Sequence, residues 1–373
     1  MHIAIIGAGI SGLMSALELL DEGCSITIFD QQMAAKAASW AGGGILSPMY
    51  PWRYDPAINR LAQHAQPLYQ AWNEKIKPIS GIDFEIHETG MLILDQNDFE
   101  IGLQYAQRYH EPLQYAQHIT AQSLYDINPR LNIMHQHALY FPYLANIRNP
   151  KLLQSIVQYL MQHPRVTFQQ HCRIEKLHRV GDKIQSIRNQ SGQSFYADQF
   201  ILTTGAWSEH WSEQLELNIP IVPVQGQMVL FKTPAHWLPT MCMNQVMYLI
   251  PRTDGHIVCG SSMRHVGFNT TPDEHVKLNI LDACFDMVPE LKQFPILQQW
   301  AGLRPGSPEG IPYIGKFSHL ENLWANFGHF RNGLCMGPAS AKLLKQLMFN
   351  LTPLTDASAY SPSRLQRPMT SLA

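Results

Sequence analysis

The residues from Gly7 to Gly12 form a glycine loop of the kind that holds phosphate. The loop reads Gly7-Ala8-Gly9-Ile10-Ser11-Gly12, and Asp30 follows eighteen residues after its last glycine. The first glycine permits a tight turn, the second lets the backbone approach a pyrophosphate, and the third lets a helix lie close to a strand. A helix N-terminus favours an anion, and an acidic residue at this distance can accept hydrogen bonds from ribose hydroxyls. The pattern predicts an adenine dinucleotide site but does not separate FAD from NAD.

Two arginines in turns rich in glycine and proline could hold a carboxylate. Arg304 lies in Gly302-Leu303-Arg304-Pro305-Gly306, and Arg331 lies in Gly328-His329-Phe330-Arg331-Asn332-Gly333. A guanidinium offers a carboxylate two parallel charge-assisted hydrogen bonds at fixed geometry. Most arginines in such turns are solvated or ion-paired instead. The residues alone leave both interpretations open.

The segments on either side of the glycine loop predict the elements that would position it. His2 to Ile6 is a short apolar run with β-branched residues, and apolar residues at helical spacing follow the loop. Gly23 can end that helix, and Ser25 to Phe29 predicts a second strand that leads to Asp30. Together they predict a complete β-α-β unit.

A second glycine segment follows this unit and is flanked by aromatic residues. Gly42, Gly43 and Gly44 are consecutive, and Trp40, Tyr50, Trp52 and Tyr54 lie close to them. Three glycines make a poor strand or helix, so the segment is either a flexible surface loop or a place where something approaches the backbone. A flat ring with a polar edge needs backbone donors and apolar walls. The combination favours FAD, with the aromatic residues as expected walls.

Composition limits the classes of function. The 373 residues carry a net charge of -2, which gives no global field to recruit nucleic acid or an anionic membrane. The six cysteines are scattered singly, so most are expected to be reduced core residues, and no metal site is predicted. The apolar start lacks Lys or Arg and is broken by glycines, which favours a buried strand and helix over a signal peptide or anchor. We expect a cytoplasmic protein with a small-molecule substrate.

Motifs spread over most of the chain resemble the D-amino-acid oxidase-like family of FAD enzymes, and within it the glycine oxidases associated with the thiamine thiazole precursor. The likeness rests on the glycine loop with Asp30 and on four further segments: residues 39–54, 201–208, 301–315 and 328–333. It implies an α/β protein with a Rossmann-like FAD-binding domain and an inserted substrate domain built on a mixed or antiparallel sheet. The expected boundaries are 1–85, 140–215 and 305–365 for the FAD domain, 86–139 and 216–304 for the substrate domain, and 366–373 for a tail.

The resemblance also implies roles for single residues. Arg304 would bind the substrate carboxylate, Arg331 would lie beside flavin and substrate, Tyr248 would add a hydroxyl, and Met263 would be an apolar wall. A Tyr or Met in such strands is more often a core residue. Arg173 would meet the adenine through its main chain. The implied cofactor contacts are Gly7, Gly9, Ile10, Ser11, Gly12, Asp30, Gln31, Ala38, Ser39, Gly43, Gly44, Ile45, Arg173, Thr204, Gly205, Trp207, His329, Phe330, Arg331, Asn332, Gly333, Leu334 and Cys335.

The implied reaction is oxidative deamination of glycine, other small amines or D-amino acids. Hydride would pass from the α-carbon to flavin N5, and imine or 2-oxo acid, ammonia and hydrogen peroxide would form with molecular oxygen as acceptor. No side chain is predicted as the base. His329 is the histidine nearest the motif, and a packing role is the alternative interpretation of this residue. Cys335 shows no pattern that would lower its thiol pKa, so noncovalent FAD is expected. A homo-oligomer is also expected.

Three alternatives to an oxidase remain at the level of sequence. The first is a D-amino-acid or imino-acid dehydrogenase that passes electrons to a quinone or carrier. The second is a flavoprotein acting on modified RNA, which would need a basic tract that the sequence does not show. The third is a flavin-binding protein without catalysis.

Overall fold

A computed structural model describes residues 1–109 and 115–366. Most of the predicted tail, 367–373, lies outside the described residues.

In chain order the strands are β1 His2–Ile6, β2 Ser25–Phe29, β3 His87–Glu88, β4 Met91–Ile93, β5 Gln117–Thr120, β6 His137–Phe141, β7 Ala145–Asn146, β8 Val166–Gln169, β9 Ile174–Val180, β10 Lys183–Asn189, β11 Ser194–Phe195, β12 Gln199–Leu202, β13 Val222–Lys232, β14 Met241–Met243, β15 Tyr248–Pro251, β16 His256–Gly260, β17 Ile296–Gly306, β18 Tyr313–Lys316 and β19 Leu323–Phe327. The α-helices are α1 Ile10–Asp21, α2 Ala38–Ala41, α3 Pro56–Ala62, α4 Ala65–Ser80, α5 Phe99–Tyr109, α6 Ala121–Ile127, α7 Asn149–Gln162, α8 Ser212–Leu215, α9 Glu274–Met287 and α10 Gly333–Met348.

A six-stranded sheet carries the glycine loop. Its strand order is β18-β19-β12-β1-β2-β8, and all neighbours are parallel except β18 and β19. The loop between β1 and α1 therefore opens at the carboxyl end of a central parallel strand, where ligands bind in open sheets of this kind. The predicted β-α-β unit is confirmed.

Both faces of this sheet are covered because its strands are apolar on both sides. Ile3 and Ile5 of β1 pack with α1 and α10 on one face, in a cluster that includes Leu13 and Leu343. Alternate residues of β1 belong to a second cluster on the other face, together with residues of β10. The layer of β11, β10 and β9 lies on that side. Continuous burial on both faces is typical of parallel sheets.

An eight-stranded sheet forms the second large unit, with the order β17-β13-β16-β15-β14-β4-β6-β5. Its pairs are antiparallel except β14 with β4. The longest pairing joins β13 to β17, and it sets Gly226 opposite Gly302. One face of the sheet packs on a cluster with residues of α9, such as Ile280 and Cys284.

Segments that alternate along the chain form these two sheets. Residues 2–29, 166–202 and 313–327 supply the six-stranded sheet, and residues 91–141 and 222–306 supply the eight-stranded one. The predicted class, an α/β protein with a Rossmann-like part and an inserted sheet-based part, is confirmed. The boundaries given to the two domains stay a prediction. Within the two described ranges no helix combines the length and the hydropathy needed to cross a membrane.

Candidate active site

One cavity of about 520 Å³ gathers nearly all the residues singled out in the sequence. Its walls come from both sheets and from the loops that follow β1, β2, β12 and β19. Of the residues implied as cofactor contacts, all line this cavity except Gly12. Arg304, Arg331 and Tyr248 line it as well, whereas Met263 does not.

The first helix N-terminus, that of α1, opens on this cavity and is held by the side chain of Ser39. Gly9, Ile10 and Ser11 line the wall, and the hydroxyl of Ser39 accepts a hydrogen bond from the Ile10 amide at 2.9 Å. The first-turn amides of a helix lack intrahelical acceptors and carry partial positive charge. This end of the cavity is therefore suited to the pyrophosphate of a dinucleotide.

Asp30 lies at the end of β2 and closes the turn. Its Oδ2 accepts from the Ala8 amide at 2.8 Å, and its Oδ1 accepts from the Gln32 amide at 2.8 Å. Burial raises the pKa of the Asp30 carboxyl, although these two amide hydrogen bonds oppose the rise. Each oxygen keeps a further acceptor position, so the carboxylate can also accept from ribose hydroxyls.

Gly7 and Gly12 allow the backbone to pack closely at this turn. Gly7 has a φ of +114° and lies against the carbonyl of Thr203, and a Cβ at Gly12 would overlap the carbonyl oxygen of Gly7. Gly12 thus lets α1 approach β1, as expected, but the structure does not place it on the cavity wall. Its packing role is therefore established by the contact with the protein's own backbone, whereas its role as a direct cofactor contact stays a prediction.

The segment from Gly42 to Ile45 forms another wall. A Cβ at Gly43 would lie 2.6 Å from Ile250 Cδ1 and 3.0 Å from the Tyr248 ring, so the backbone is pressed against β15. Asn149 fixes the same segment, since its amide donates to the carbonyl oxygens of Ser39 and Gly42 at 2.9 Å each. Asn149 is 1% exposed and lines the cavity, and sequence reasoning missed it.

The aromatic loop does not form the walls expected of it. Trp40, Tyr50, Trp52 and Tyr54 are absent from the cavity lining. The Tyr50 hydroxyl donates to Asp95, and Trp52 Nε1 donates to Asp98 Oδ1 at 2.7 Å. Tyr50 and Trp52 therefore pack against the eight-stranded sheet, whereas Trp40 and Tyr54 pack against the cluster that contains β1 and α1. Trp207, from the loop after β12, does line the cavity.

A second helix N-terminus, that of α10, opens on the same cavity. Gly333, Leu334 and Cys335 line it, and so does Asn332, which is 5% exposed. The Asn332 side-chain nitrogen is a buried donor without a hydrogen-bond partner in the described chain. A buried unpaired donor is costly, so its presence here indicates a missing acceptor, as a bound cofactor would supply.

His329 links the two helices and is neutral. Its Nε2 lies 3.0 Å from Ser340 Oγ, and its Nδ1 lies 3.4 Å from Ser11 Oγ. Because Ser340 donates to a backbone carbonyl, its hydroxyl accepts the proton on Nε2. Burial lowers the pKa of His329 from 6.5 to about 3. Both ring nitrogens are engaged, which supports the packing role.

Arg304 belongs to β17 and lines the same cavity as Asp30. Its Nη2 donates to Ser261 Oγ at 2.6 Å, and its Nη1 donates to the Ser262 carbonyl at 3.1 Å. Among the described residues no carboxylate forms an ion pair with it. Burial lowers its pKa, while the hydroxyl of Tyr248 opposes this and the charge of Arg331 adds to it. Arg304 is therefore a partly buried cation beside a second cation, without an anion.

Arg331 and Met263 are both exposed, but only Arg331 lines the cavity. Arg331 is exposed, lines the cavity and acts on Arg304 electrostatically. Met263 is 57% exposed and does not line the cavity, so its role as an apolar wall stays a prediction. Met49, from the loop after α2, lines the cavity instead. Met49 lies in an irregular loop, and such a loop gives no periodic sequence signal from which its place in the cavity wall could have been predicted.

The state of the cysteine thiols bears on how a flavin could be attached. All six are free and buried, as expected of most of them. Burial raises the pKa of the Cys335 thiol to about 12, so the thiolate that could attack a ring is scarce. In the portion of the chain with described positions, no group of three or more His, Cys, Asp or Glu residues could hold a metal ion.

The donor set of the cavity fits FAD. Two helix N-termini, the Asp30 carboxylate, the unpaired Asn332 amide and the close glycine backbone match the phosphates, ribose and ring of a dinucleotide. Arg304, a cation without a carboxylate partner in the described chain, lines the same cavity. The fold and site thus define the class of dinucleotide-binding flavin oxidoreductases.

Comparisons with known proteins extend this conclusion. The family model described as FAD dependent oxidoreductase (DAO) matches residues 2–347. Glycine oxidase of Pseudomonas aeruginosa is 38% identical over 362 residues, which are 97% of this chain and 98% of that protein. The bifunctional protein ThiO/ThiG of Nostoc is 26% identical over 98% of this chain and 55% of its own length. The crystal structure of glycine oxidase from Geobacillus kaustophilus superposes with a TM-score of 0.90 at 21% identity, covering 96% of this chain and 97% of that one.

The chain belongs to the DAO family of FAD-dependent oxidoreductases. The resemblance to the D-amino-acid oxidase-like family near glycine oxidases, the enzyme class and the FAD cofactor predicted from the sequence are confirmed. The roles given to single residues stay predictions.

Proposed function

We propose that the protein oxidises glycine, and with it other small amines and D-amino acids, to imine or 2-oxo acid and ammonia, with reduction of oxygen to hydrogen peroxide. The observation that carries this proposal is Arg304, a guanidinium in the cavity wall with no carboxylate partner in the described chain. A substrate with its own carboxylate supplies that partner. The 38% identity to a glycine oxidase supports a small amino acid.

In this proposal the chain's residues bind and orient the substrate. Arg304 holds the carboxylate, Arg331 adds positive potential at the cavity, and the Tyr248 hydroxyl lies close enough to Arg304 to contribute a third donor. Ser261 and the Ser262 carbonyl fix the guanidinium from behind. Bound FAD supplies the acceptor for the two electrons released when the α-carbon to hydrogen bond breaks. Positioning supplies most of the rate enhancement.

No side chain in this cavity is needed as a base. His329 is neutral, buried and hydrogen-bonded at both nitrogens, so it has no free position for a substrate proton. We propose that the amine loses its proton to solvent before the reaction. The two arginines help, because nearby positive charge lowers the pKa of an ammonium.

The test is an anaerobic scan of amino acids for bleaching of the oxidised flavin absorbance. Glycine, sarcosine and small D-amino acids are expected to bleach it, and large L-amino acids are not. If glycine and every small D-amino acid leave the absorbance unchanged in folded, FAD-loaded protein, the proposal is wrong and a flavin-binding protein without this activity remains.

The electron acceptor needs its own measurement. Hydrogen peroxide and imine are measured in air-saturated buffer, and one peroxide per imine is expected. Turnover that requires a quinone or another carrier, with little peroxide, would instead identify an amino-acid or imino-acid dehydrogenase.

We also propose a role in making the thiazole precursor of thiamine. The similarity to proteins named ThiO/ThiG supports it. Deletion of the gene in its host is expected to make growth depend on added thiamine or thiazole. Unchanged growth without either compound would reject this role and leave the oxidase activity untouched.

A further inference from the structure

Arg252 is a buried cation whose hydrogen-bond partners are all neutral. Its side chain is 6% exposed, and it follows directly on β15. One nitrogen, Nη2, donates to the carbonyl oxygen of Gly43 at 2.7 Å. The other, Nη1, donates to the carbonyl oxygen of Ile147 at 3.0 Å and to Asn146 Oδ1. A buried charge without a counter-ion is costly, so a residue of this kind indicates a use for its charge.

The charge of Arg252 is not neutralised by its neighbours. Glu85 and Asp254 lie nearby, but both form ion pairs with Arg148, at 3.0 Å and 2.8 Å. Burial lowers the pKa of the Arg252 guanidinium to about 10, which still leaves it protonated at neutral pH. The positive charge therefore acts on the three dipoles that accept its hydrogen bonds.

One of these dipoles is a peptide in the cavity wall. The peptide that joins Gly43 to Gly44 presents its carbonyl oxygen to Arg252, and both glycines line the cavity. Within the described chain, the N–H of the same peptide has no recorded acceptor, while the Gly44 carbonyl accepts from the Ile147 amide at 2.8 Å. A hydrogen bond to a carbonyl polarises its peptide and makes the N–H a stronger donor.

The same strand couples this peptide to the substrate end. Tyr248 and Ile250 of β15 press on Gly43 from one side, and Arg252 holds its carbonyl. Gly44 has a φ of +86°, and a Cβ there would overlap the Ile147 carbonyl, so the segment has little freedom to move away. Arg252 thus sets both the place of this peptide and its electrostatic potential.

We propose that Arg252 is a positioning residue for the cofactor, which fixes the Gly43–Gly44 peptide at the cavity wall and makes its N–H a strong donor, so that the reduced, electron-rich state of bound FAD is favoured. The proposal needs FAD binding and holds for any amine substrate. Its failure is therefore distinguishable from failure of the glycine oxidase proposal.

The experiment compares the flavin reduction potential of Arg252→Met, Arg252→Lys and the native protein by redox titration against a reference dye. For Arg252→Met, the ratio of reduced to oxidised flavin at a fixed potential is expected to fall about tenfold, which equals about 30 mV for a two-electron couple. The dissociation constant for FAD is expected to rise. Arg252→Lys keeps the charge and is expected to recover at least half of the shift.

Arg130→Met is the control, since it removes an arginine whose partly exposed ion pair with Glu290, at 3.0 Å, lies away from the cavity lining and from Arg252 and its partners. Its potential is expected to stay at the native value. The proposal is overturned if flavin-loaded Arg252→Met keeps the native potential, or if Arg130→Met shifts it equally. Loss of thermal stability alone, with the potential unchanged, would show a purely structural role. Should Arg252→Met not fold, Arg252→Gln keeps a donor without the charge, and the same criteria apply to it.

Discussion

The Arg304 guanidinium lies in the cavity wall without a carboxylate partner in the described chain. Its donors meet a serine hydroxyl and a backbone carbonyl, the Tyr248 hydroxyl lies close by, and no acidic side chain of the described chain pairs with it. A guanidinium that was merely structural would be expected to have a carboxylate partner or full solvation. Its placement in the cavity wall therefore supports a role in substrate binding.

Replacement of Arg304 by Met should abolish most of the affinity for a carboxylate substrate. Loss of one partner of a partly buried charged pair typically removes about 3 kcal/mol, so kcat/KM for glycine is expected to fall about 10²-fold, chiefly through KM. Steady-state kinetics measure this. Arg264→Met is the control, because Arg264 forms a half-exposed ion pair with Asp273 at 2.8 Å, away from the cavity lining. Equal losses in both variants would contradict the assignment.

His329 predicts how stability depends on pH. Its pKa is about 3 in the folded protein, against 6.5 as the ordinary value. Below pH 6.5 the unfolded chain takes up a proton that the folded chain does not, so stability falls as pH falls. Between pH 6.5 and 5 this amounts to about 2 kcal/mol. His329→Asn should remove that part of the pH dependence of the unfolding free energy, measured with urea. The exposed His275→Asn should leave it unchanged, and an unaltered slope in His329→Asn would refute the prediction.

At the scale of elements, the pairing of β13 with β17 makes room for the substrate arginine. Gly226 and Gly302 are opposite each other, so their missing side chains lie on the same face of the sheet. A Cβ at Gly302 would overlap Ala41 of α2, and one at Gly226 would overlap the Arg304 guanidinium. The paired glycines thus admit α2 and the guanidinium to one face.

Gly226→Ala should behave like a weak form of the Arg304 variant. The added methyl group displaces the guanidinium, and kcat/KM for glycine is expected to fall about tenfold, the equivalent of about 1.4 kcal/mol. Gly81→Ala is the control, because Gly81 has a φ of +71° and no neighbour within 4 Å of an added Cβ. It should lower the melting temperature but leave KM unchanged. A native KM in Gly226→Ala would show that the guanidinium is not held as described.

The sequence predicted those parts of the site whose signals are local. The glycine loop, Asp30 and the β-α-β unit lie within thirty residues, and their spacing is fixed by the turn they form. Asn149 and Arg252 could not be found in this way, because their partners Gly42 and Gly43 are 107 and 209 residues distant. The aromatic loop was misjudged for the same reason, since Tyr50 meets Asp95, 45 residues away. Long-range hydrogen bonds decide which way such side chains turn.

At the scale of the whole molecule, the cofactor is expected to stabilise both sheets. Its cavity has walls from each of them, so binding to the folded chain adds RT ln(1 + [FAD]/Kd), about 2.7 kcal/mol at a hundredfold excess over Kd. Removal of FAD should lower the melting temperature by several degrees, and added FAD should restore it in a concentration-dependent way.

Release of FAD on denaturation tests the noncovalent link. Unfolded protein passed through a size filter should leave all yellow colour in the filtrate, since the thiol of Cys335 has a pKa of about 12. Colour that stays with the polypeptide would show a covalent bond. Identical melting temperatures with and without FAD would show that the cavity does not hold it.

The position of β1 at the centre of its sheet has a consequence for biosynthesis. It pairs with β2, and also with β12, which in turn pairs with β19 ending at Phe327, and the helix α10 that completes the cavity begins at Gly333. A chain leaving the ribosome exposes its glycine loop first and the last wall of that cavity more than three hundred residues later. Flavin insertion therefore follows nearly complete translation. Messages truncated before that helix yield polypeptides that stay colourless however much FAD the cell contains.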